Sequence, residues 1–350
     1  MWPTVPSALD DPNDPGLPPP SIDTALLVDS GVGVDEIPAI DQPDWFPVER
    51  VGWLEDQEPV IAIEIEGDAR AYPLMVMTWH EIVNDEVAGI PMTITFCPLC
   101  NSAVAFERTV DAGELTFGVS GLLFNSSLVM YDRQTESLWT HFDGTAVAGS
   151  LAGTELRKHP VQIVSWADFR DTFPEGQVLT RATGFSRPYG RNPYPGYDAV
   201  GQRPFFFEGE IDGRIAAKER VVAIRGDETK VVLLSELADA SVVELEFDGR
   251  AAVVLHTDGT SSALDDPFVE LGRDIGATGV FDRELDGQLV ELVSADDGFL
   301  DIVSGSTFDI FGRAVDGPLL GEQLRRIDSL DTFWFAIAAF DPETRIVDVP

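Results

Sequence analysis

The chain has 350 residues, of which 61 are Asp or Glu, 23 are Lys or Arg and only two are cysteines. The formal net charge of −38 disfavours nucleic acid as a partner, because an acidic surface repels phosphates and no basic stripe offsets it. Two cysteines exclude a framework of several disulfides, and no apolar run reaches the length of about 18 residues that a membrane-spanning helix needs. Because 44% of the residues are hydrophobic, we expect a folded chain of about two domain-sized units.

Lysine accounts for only three of the 23 basic residues. A surface rich in carboxylates and poor in lysine is typical of proteins kept soluble in concentrated salt, where screening removes self-repulsion. An acidic extracellular protein from a genome that favours arginine codons would have the same composition. Neither interpretation indicates an activity.

Residues 1–45 are rich in proline and aspartate and have almost no apolar periodicity, which predicts a disordered or extended arm. The sequence begins without the basic and apolar segments of a signal peptide. A truncated exported protein would show the same pattern, because such tethers often follow a cleaved signal. The compartment therefore stays open at this point.

From about residue 46, short apolar runs separated by turn residues predict a β-rich protein. The expected strand elements are a hairpin over 59–74, a strand at 92–96 that leads into a tight CPLCNS loop, and a hairpin around the turn at 111–113. Helical spacing of apolar residues predicts one helix over 165–173, capped by Ser165, and another over 331–340.

An internal repeat is the most informative feature of the sequence. At an offset of 168, residues 144–157 and 312–325 are identical in eight of fourteen columns, and Trp166 falls opposite Trp334. Such self-similarity predicts a duplicated structural unit. We therefore expect an α+β, β-rich fold of two diverged tandem copies packed as a pseudo-symmetric unit, each made of short antiparallel hairpins with one C-terminal helix.

The repeat divides the chain after the arm into three parts: a first repeat over 46–180, a strap rich in Gly, Pro, Tyr and Arg over 181–218, and a second repeat over 219–350. Residues shared by both copies are expected to serve the fold, whereas reactive residues present in one copy are candidates for function. The reactive side chains are confined to the first copy: Thr257, Thr260 and Ile310 stand opposite Cys97, Cys100 and His141, and His80 has no counterpart. The second copy is thus interpreted as a degenerate scaffold.

Several long motifs of the chain resemble the prokaryotic family catalogued as "domain of unknown function 3179". They are TWHEIVND (78–85), ITFCPLCNSAVAF (94–106), the segment 115–139, IVSWADF (163–169), GFSRPYGRNPYPGYD (184–198) and FWFAIAAFDPETRI (333–346). The resemblance covers about 45–348 and implies a family without an assigned activity and with a tendency toward exported or envelope locations.

The CPLC loop has the C-x-x-C spacing that can supply two thiolates to a metal ion, which then needs further ligands. Cys97, Cys100, His80 and His141 would form a complete Cys₂His₂ set. Soft ligands of this kind suit copper or zinc. The sequence therefore favours a soluble or envelope protein that binds copper or zinc at this loop, with or without redox activity.

A C-x-x-C pair also supports dithiol–disulfide exchange, but the residues after Cys100 alternate like a strand and the helix of a thioredoxin-like unit is missing. Alternatively, Cys97 and Cys100 could form a structural disulfide in a non-catalytic binding module.

In the remaining alternative the protein is a cysteine-dependent hydrolase or transferase. Cys97 would be the nucleophile and His80 its base, with Glu81, Asn84 or Asp85 orienting the imidazole. The resemblance supports either this alternative or a metal site with three ligands, because relatives often carry threonine at the position of the second cysteine.

The segment 184–198 concentrates arginine and tyrosine in a chain that has little positive charge. Four of its side chains could clamp a small anionic or aromatic ligand: Arg187, Tyr189, Arg191 and Asn192. In the structural interpretation, the segment connects the repeats and its tyrosines pack on both.

Overall fold

The computed structural model describes residues 6–349, which form short strands and four short α-helices. With 39% of the residues in strands and 11% in helices, the β-rich prediction is confirmed. We call residues 46–180 the first half and 219–349 the second half. The strands up to the strap are β1 (Leu27–Asp29), β2 (Trp45–Pro47), β3 (Pro59–Ile65), β4 (Asp68–Pro73), β5 (Ile82–Val87), β6 (Ile90–Cys97), β7 (Ser102–Glu107), β8 (Thr109–Val110), β9 (Gly113–Glu114), β10 (Phe117–Phe124), β11 (Ser127–Asp132), β12 (Leu138–Thr140), β13 (Ala146–Ala148), β14 (Lys158–His159), β15 (Gln162–Ser165) and β16 (Gln177–Leu179).

The strands of the second half are β17 (Arg220–Ile224), β18 (Lys230–Leu233), β19 (Val242–Phe247), β20 (Arg250–Thr257), β21 (Ala277–Asp282), β22 (Glu284–Leu285), β23 (Gln288–Leu289), β24 (Leu292–Ala295), β25 (Gly298–Asp301), β26 (Thr307–Phe308), β27 (Ala314–Asp316), β28 (Ser329–Phe333) and β29 (Arg345–Ile346). The helices are α1 (Leu74–His80), α2 (Trp166–Thr172), α3 (Leu234–Ala240) and α4 (Trp334–Phe340).

Two of the helices were predicted. Helix α2 lies where expected, and the Ser165 hydroxyl accepts a hydrogen bond from the Asp168 N–H at 3.0 Å as its N-cap. Helix α4 begins at Trp334 rather than near residue 331, because 329–333 form strand β28 beside β17. None of the described helices is long and apolar enough to cross a bilayer.

The expectation of one helix per copy is wrong, because α1 and α3 also form, each directly after a β-hairpin. Nearly every residue of α1 is buried. A short helix that is buried all round shows no amphipathic spacing, so its sequence reads like a buried strand.

The sheets of the first half are built from neighbouring hairpins. Their orders are β15-β3-β4-β16-β2, β14-β7-β6-β5 and β1-β10-β11-β12-β13, and the only parallel pair in these three sheets joins β16 to β4. The predicted hairpin over 59–74 is β3–β4, whose turn residues Glu66 and Gly67 both have positive φ, as a tight hairpin requires. The hairpin predicted around 111–113 is confined to the two-residue strands β8 and β9.

The second half has sheets of order β28-β17-β18-β29, β19-β20-β21 and β24-β25-β26-β27. Its strand β29 joins β18 in parallel, as β16 joins β4. The sequence of elements from β3 to β16 therefore has a close counterpart in the sequence from β17 to β29.

The described part of the N-terminal arm, residues 6–45, consists of turns, one short 3-10 helix (Thr24–Leu26) and strand β1, and it is packed against the first half. Strand β1 pairs with β10, and Ile40 bridges to Val83. Ala8 and Leu17 are buried, so the segment is not solvated throughout. Residues 1–5 of the predicted arm lie outside the described residues.

The two halves share one core. One cluster of buried side chains joins Cys97 and Phe142 of the first half to Phe333 and Trp334 of the second. The Gln162 side-chain amide donates to the carbonyls of Thr278 and Ile310 in the second half. The position of a loop in one half thus depends on the other half.

A glycine of the repeated segment provides a test of this packing. Gly312 has a φ of +74°, and a Cβ there would lie 2.6 Å from the Phe281 ring, whereas Gly321 has a φ of +90° and open space around it. We expect Gly321→Ala to lower the free energy of unfolding by about 1–2 kcal/mol through backbone strain. Gly312→Ala should lower it by about 1–3 kcal/mol more, because the methyl group overpacks the core. Denaturant unfolding of the two variants measures the difference, and equal losses would contradict the role assigned to the Phe281 contact.

Candidate functional site

The two cysteines lie at the tip of the β6–β7 hairpin. Cys97 ends β6 opposite Ser102, which begins β7, and the connecting turn contains Asn101 with a φ of +53°. The predicted tight loop is therefore present. It is held by the second half, because the Cys100 carbonyl accepts hydrogen bonds from the Phe333 N–H at 3.0 Å and the Thr332 hydroxyl at 2.8 Å.

Both cysteines are free thiols in this structure, and both are almost fully buried, at 1% exposure for Cys97 and 0% for Cys100. The structural disulfide considered from the sequence is not formed. At such low exposure, a reagent or substrate reaches either sulfur only after the covering residues move.

A chain of hydrogen bonds connects Cys100 to His141. The Cys100 Sγ lies 3.0 Å from the Ser102 Oγ, which lies 2.9 Å from the His141 Nε2. On the other side of the ring, Nδ1 lies 2.8 Å from the Thr95 hydroxyl, which donates to the Val104 carbonyl at 3.0 Å. Since the Thr95 proton is already used, Nδ1–H must donate to Thr95 and the neutral Nε2 must accept from Ser102. Ser102 can then accept the thiol proton of Cys100, which completes a path from sulfur to imidazole.

The environment moves the pKa values of the two thiols in opposite directions. Burial opposes ionisation of Cys100, but hydrogen bonds with Cys97, Ser102 and Ser127 outweigh it and lower its pKa. Burial and the neighbouring Cys100 raise the pKa of Cys97 well above its usual range. Burial also lowers the pKa of His141, so the imidazole is neutral and able to accept a proton at neutral pH. Cys100 is therefore the more acidic thiol.

A buried carboxyl group faces the same site. Glu81 caps the end of α1 with a φ of +59°. Burial, with a further contribution from the nearby Cys97, raises the pKa of its carboxyl group to about 8, although the hydrogen bond with the Tyr194 hydroxyl acts in the opposite direction. Although Glu81 follows His80 in the sequence, its carboxyl group interacts with Cys97 and Tyr194.

His80 is held by different partners. Its Nδ1–H donates to the Pro38 carbonyl at 2.6 Å, and its Nε2 lies 2.6 Å from the Tyr189 hydroxyl, which also contacts Thr183. Among the hydrogen bonds of residues 6–349, none joins His80 to Cys97. The residues proposed to orient it also have other partners: Asn84 contacts Asp41 and Phe117, and Asp85 contacts Arg70 and Tyr72.

The four candidate ligand-binding residues of the strap all have partners within the protein. Arg187 donates to the Glu36 carbonyl, Tyr189 contacts His80, Arg191 lies over the Phe268 ring, and Asn192 donates to the Asp266 carbonyl. The strap thus contacts both halves. Two further tyrosines cover the thiols, because Tyr194 lies beside Glu81 and Cys97 and the Tyr197 hydroxyl donates to the Leu99 carbonyl at 2.9 Å.

The four predicted metal ligands are not assembled around one point. No group of three or more His, Cys, Asp or Glu side chains within residues 6–349 is arranged to hold a metal ion. A serine hydroxyl lies between His141 and Cys100, and His80 is engaged by Pro38 and Tyr189.

The hydroxyl groups of the site are not evident from the sequence. The repeat aligns Ser102 with Ser262, and a residue shared by both copies is expected to serve the fold. In the second half, however, Ser262 donates to Asp198 at 2.6 Å and accepts from Arg220 at 2.8 Å. The strand register also places Ala277, not Ser262, opposite Thr257, as Ser102 lies opposite Cys97, so the two aligned serines do not occupy corresponding positions in the structure.

The lowered pKa of Cys100 predicts the pH dependence of its alkylation. The rate should rise as the pH increases through this pKa, because the thiolate is the reactive form. Replacing Ser102 by alanine removes a hydrogen bond to the sulfur and should move the midpoint upward by about one pH unit. Mass spectrometry of iodoacetamide adducts at Cys100 measures this. Ser262→Ala removes a buried serine hydroxyl of the second half that contacts Asp198 instead of a thiol, and it should leave the midpoint unchanged; an unchanged midpoint in Ser102→Ala would contradict the assignment.

The raised pKa of Glu81 predicts how stability changes with pH. A carboxyl group that binds its proton more tightly in the folded chain stabilises the folded state. This contribution is complete below the ordinary pKa of 4.5 and is lost as the pH rises toward 8. Between these values, the free energy of unfolding should fall by about 1.4 kcal/mol per pH unit more in the wild type than in Glu81→Gln. Denaturant unfolding at several pH values measures the slopes. Glu86→Gln, at an exposed position of β5, is the control and should keep the wild-type slope; a wild-type slope in Glu81→Gln would contradict the prediction.

Comparison with known proteins agrees with the resemblance noted in the sequence. No curated protein and no solved structure is similar enough to the chain to be matched. The family described as "Protein of unknown function (DUF3179)" matches residues 34–344, nearly the whole chain. The match spans the arm from Val34 onward, both halves and the strap. The chain belongs to the DUF3179 family.

Proposed function

We propose that the hairpin tip at 97–100 is a thiol–disulfide exchange site. Cys100 provides the attacking thiolate and Cys97 the second sulfur. The observation that carries this proposal is the pairing of two free, adjacent thiols whose pKa values are moved in opposite directions, with only Cys100 connected to a neutral imidazole. An exchange site needs this asymmetry, because one sulfur must ionise first while the other waits as a thiol.

The reaction balances with a disulfide as the oxidant. Cys100 passes its proton through Ser102 to His141, and its thiolate attacks one sulfur of the disulfide, so that the first thiolate leaves and a mixed disulfide forms. Cys97 then loses its proton and attacks the Cys100 sulfur, which releases the second thiolate. The two protons from the cysteines neutralise the two leaving thiolates. The net result is one disulfide reduced and the Cys97–Cys100 pair oxidised.

Access to the site depends on the strap. Tyr197 is itself buried and donates to the Leu99 carbonyl, and Tyr194 stands beside Cys97. Outward movement of this part of the strap would expose both sulfurs together. A covered dithiol would react only with partners that engage the strap, which protects the thiols from non-specific oxidation.

Binding of a copper or zinc ion is the second candidate. It is supported by the same two adjacent thiols and by His141, which lies one serine hydroxyl away from Cys100. Thiolates are soft ligands that select Cu(I) and zinc, and a neutral imidazole suits both. This candidate requires Ser102 to move so that His141 and the sulfurs approach one ion.

Two matched variants, Cys97→Ser and Cys100→Ser, test the exchange reaction. Reduced protein is mixed with oxidised glutathione, quenched with acid and analysed by mass spectrometry. We expect the wild type to lose two hydrogens as its internal disulfide forms. Cys97→Ser should accumulate a mixed disulfide between Cys100 and glutathione, because the resolving sulfur is missing. Cys100→Ser should react at least tenfold more slowly, because its remaining thiol has a raised pKa.

The other outcomes separate the alternatives. Near-stoichiometric copper or zinc on the purified protein, lost in both variants, would contradict the exchange proposal and favour metal binding. Full reactivity of Cys100→Ser, lost in His80→Ala, would overturn both and favour Cys97 as the nucleophile of a cysteine-dependent enzyme.

We also propose that the chain arose by duplication and that 46–180 and 219–350 pack as a pseudo-symmetric unit. The matching order of elements supports this, as does one repeated contact: Gly144 lies against the Phe106 ring, and Gly312 lies against the Phe281 ring. The second half would then serve as scaffold. Thr260, aligned with Cys100, is fully buried there, and its hydroxyl has no hydrogen-bond partner within residues 6–349.

A further inference from the structure

A second feature of the molecule lies outside the thiol site. A cleft of about 380 Å³ opens between the two halves. Its apolar part includes two aromatic rings and a leucine, and its polar part is dominated by three arginines: Phe173, Phe311, Leu324, Arg313, Arg325 and Arg326. The volume is sufficient for a small organic ligand.

The arginines are a local excess of positive charge in a strongly acidic chain. Of the 23 basic residues, three are lysines, which leaves 20 arginines to balance 61 carboxylates. Three of these 20 line the one cleft. Glu64 is the only acidic residue that lines the cleft within residues 6–349, and its carboxylate accepts a hydrogen bond from the Gly67 N–H of the β3–β4 turn.

Two of the three guanidinium groups form no salt bridge within residues 6–349, although Asp309 is near Arg313 and the buried Asp331 is near Arg326. Arg325 pairs with Asp282, but no salt bridge involves Arg313 or Arg326. The Arg313 guanidinium lies 5.0 Å from the centre of the Phe173 ring. Arg326 donates from Nη2 to the Val161 carbonyl at 3.1 Å, while its buried Nε has no partner. Buried donors of this kind are costly unless a ligand or water uses them.

The aromatic rings complete the recognition surface. Phe173 and Phe311 lie at 5.0 Å with their planes at 77°, and Leu324 is buried beside them. A guanidinium group pairs with a carboxylate through two parallel hydrogen bonds, and aromatic faces bind flat apolar groups. Inorganic phosphate would leave the apolar part of the cleft empty, so the site fits an anion that carries a ring.

We propose that this cleft between the halves binds a small aromatic carboxylate, with Arg313 and Arg326 pairing with the carboxylate and Phe173 and Phe311 packing against the ring. The site is independent of the thiols and of the exchange reaction. It is formed by residues of both halves, so its ligand would also stabilise their association.

The test uses naphthalene-2-carboxylate as the probe, titrated into the full-length protein at constant ionic strength and followed by isothermal calorimetry. We expect saturable binding of one equivalent to the wild type. Arg313→Gln should weaken the affinity roughly tenfold to a hundredfold, because it removes a charged hydrogen-bond partner. Naphthalene-2-methanol, which has the ring without the charge, should bind at least tenfold more weakly than the carboxylate.

Two further variants keep the result interpretable. Arg326→Gln should weaken binding similarly. Because Arg326 is partly buried, circular dichroism is used to check that the Arg326→Gln protein is folded. If it is unfolded, the test rests on Arg313→Gln. Arg157→Gln is the matched control, since Arg157 is aligned with Arg325 in the repeat but is 76% exposed and outside the cleft; it should bind like the wild type. Absence of saturable binding up to 10 mM probe, an affinity that Arg313→Gln leaves unchanged, or equal affinity for the alcohol would each overturn the proposal.

Discussion

The thiol site depends on hydrogen bonds that cross from one half of the chain to the other. The Cys100 carbonyl accepts from the Phe333 N–H and from the Thr332 hydroxyl, both at the end of β28. A four-residue hairpin tip with a left-handed residue at Asn101 has several accessible conformations. These bonds select one of them and place both sulfurs in the core, where Ser102 and His141 can be reached from Cys100. The second half therefore determines the chemistry of a loop that belongs to the first.

Burial gives the site its unusual protonation states. Water would stabilise any charged side chain, but in the core each charge depends on the few polar groups within hydrogen-bond distance. Cys100 has hydrogen bonds with Ser102 and Ser127, and its pKa falls. Cys97 and Glu81 have too few favourable hydrogen bonds to offset burial, and their pKa values rise. Neighbouring groups thus differ in how strongly they hold a proton, which is the condition for moving a proton between them. The charge of −38 on the whole chain has no part in this, because it is carried mainly by the solvated surface.

The two halves contain different polar networks. Where the first half has Cys100, Ser102 and His141, the second has a buried ionic network in which Asp198 of the strap pairs with Arg220 and Arg273, and Ser262 joins it. Because the Asp198 carboxylate is fully buried, loss of either arginine would leave its charge only partly compensated, which is costly in free energy. The strap contributes to both sites, through Asp198 in the second half and through Tyr194 and Tyr197 at the thiols.

Local patterns of turns and apolar residues are sufficient to predict the β-rich class, the β3–β4 hairpin, helix α2 with its Ser165 cap and the hairpin tip that carries both cysteines. The sequence does not reveal α1, since a short buried helix has no polar face, nor α3, a single exposed stretch of seven residues with only Leu237 buried. It also does not reveal the role of Ser102, because the repeat aligns this residue with a serine that has different contacts. Which histidine lies next to which cysteine depends on tertiary packing. In the sequence, His80 and His141 are equally plausible partners of the cysteines. In the structure, His80 is hydrogen-bonded to Pro38 and Tyr189, whereas a single serine hydroxyl connects His141 to Cys100. Contacts between residues about 40 positions apart depend on how the sheets pack, and no local pattern encodes that packing.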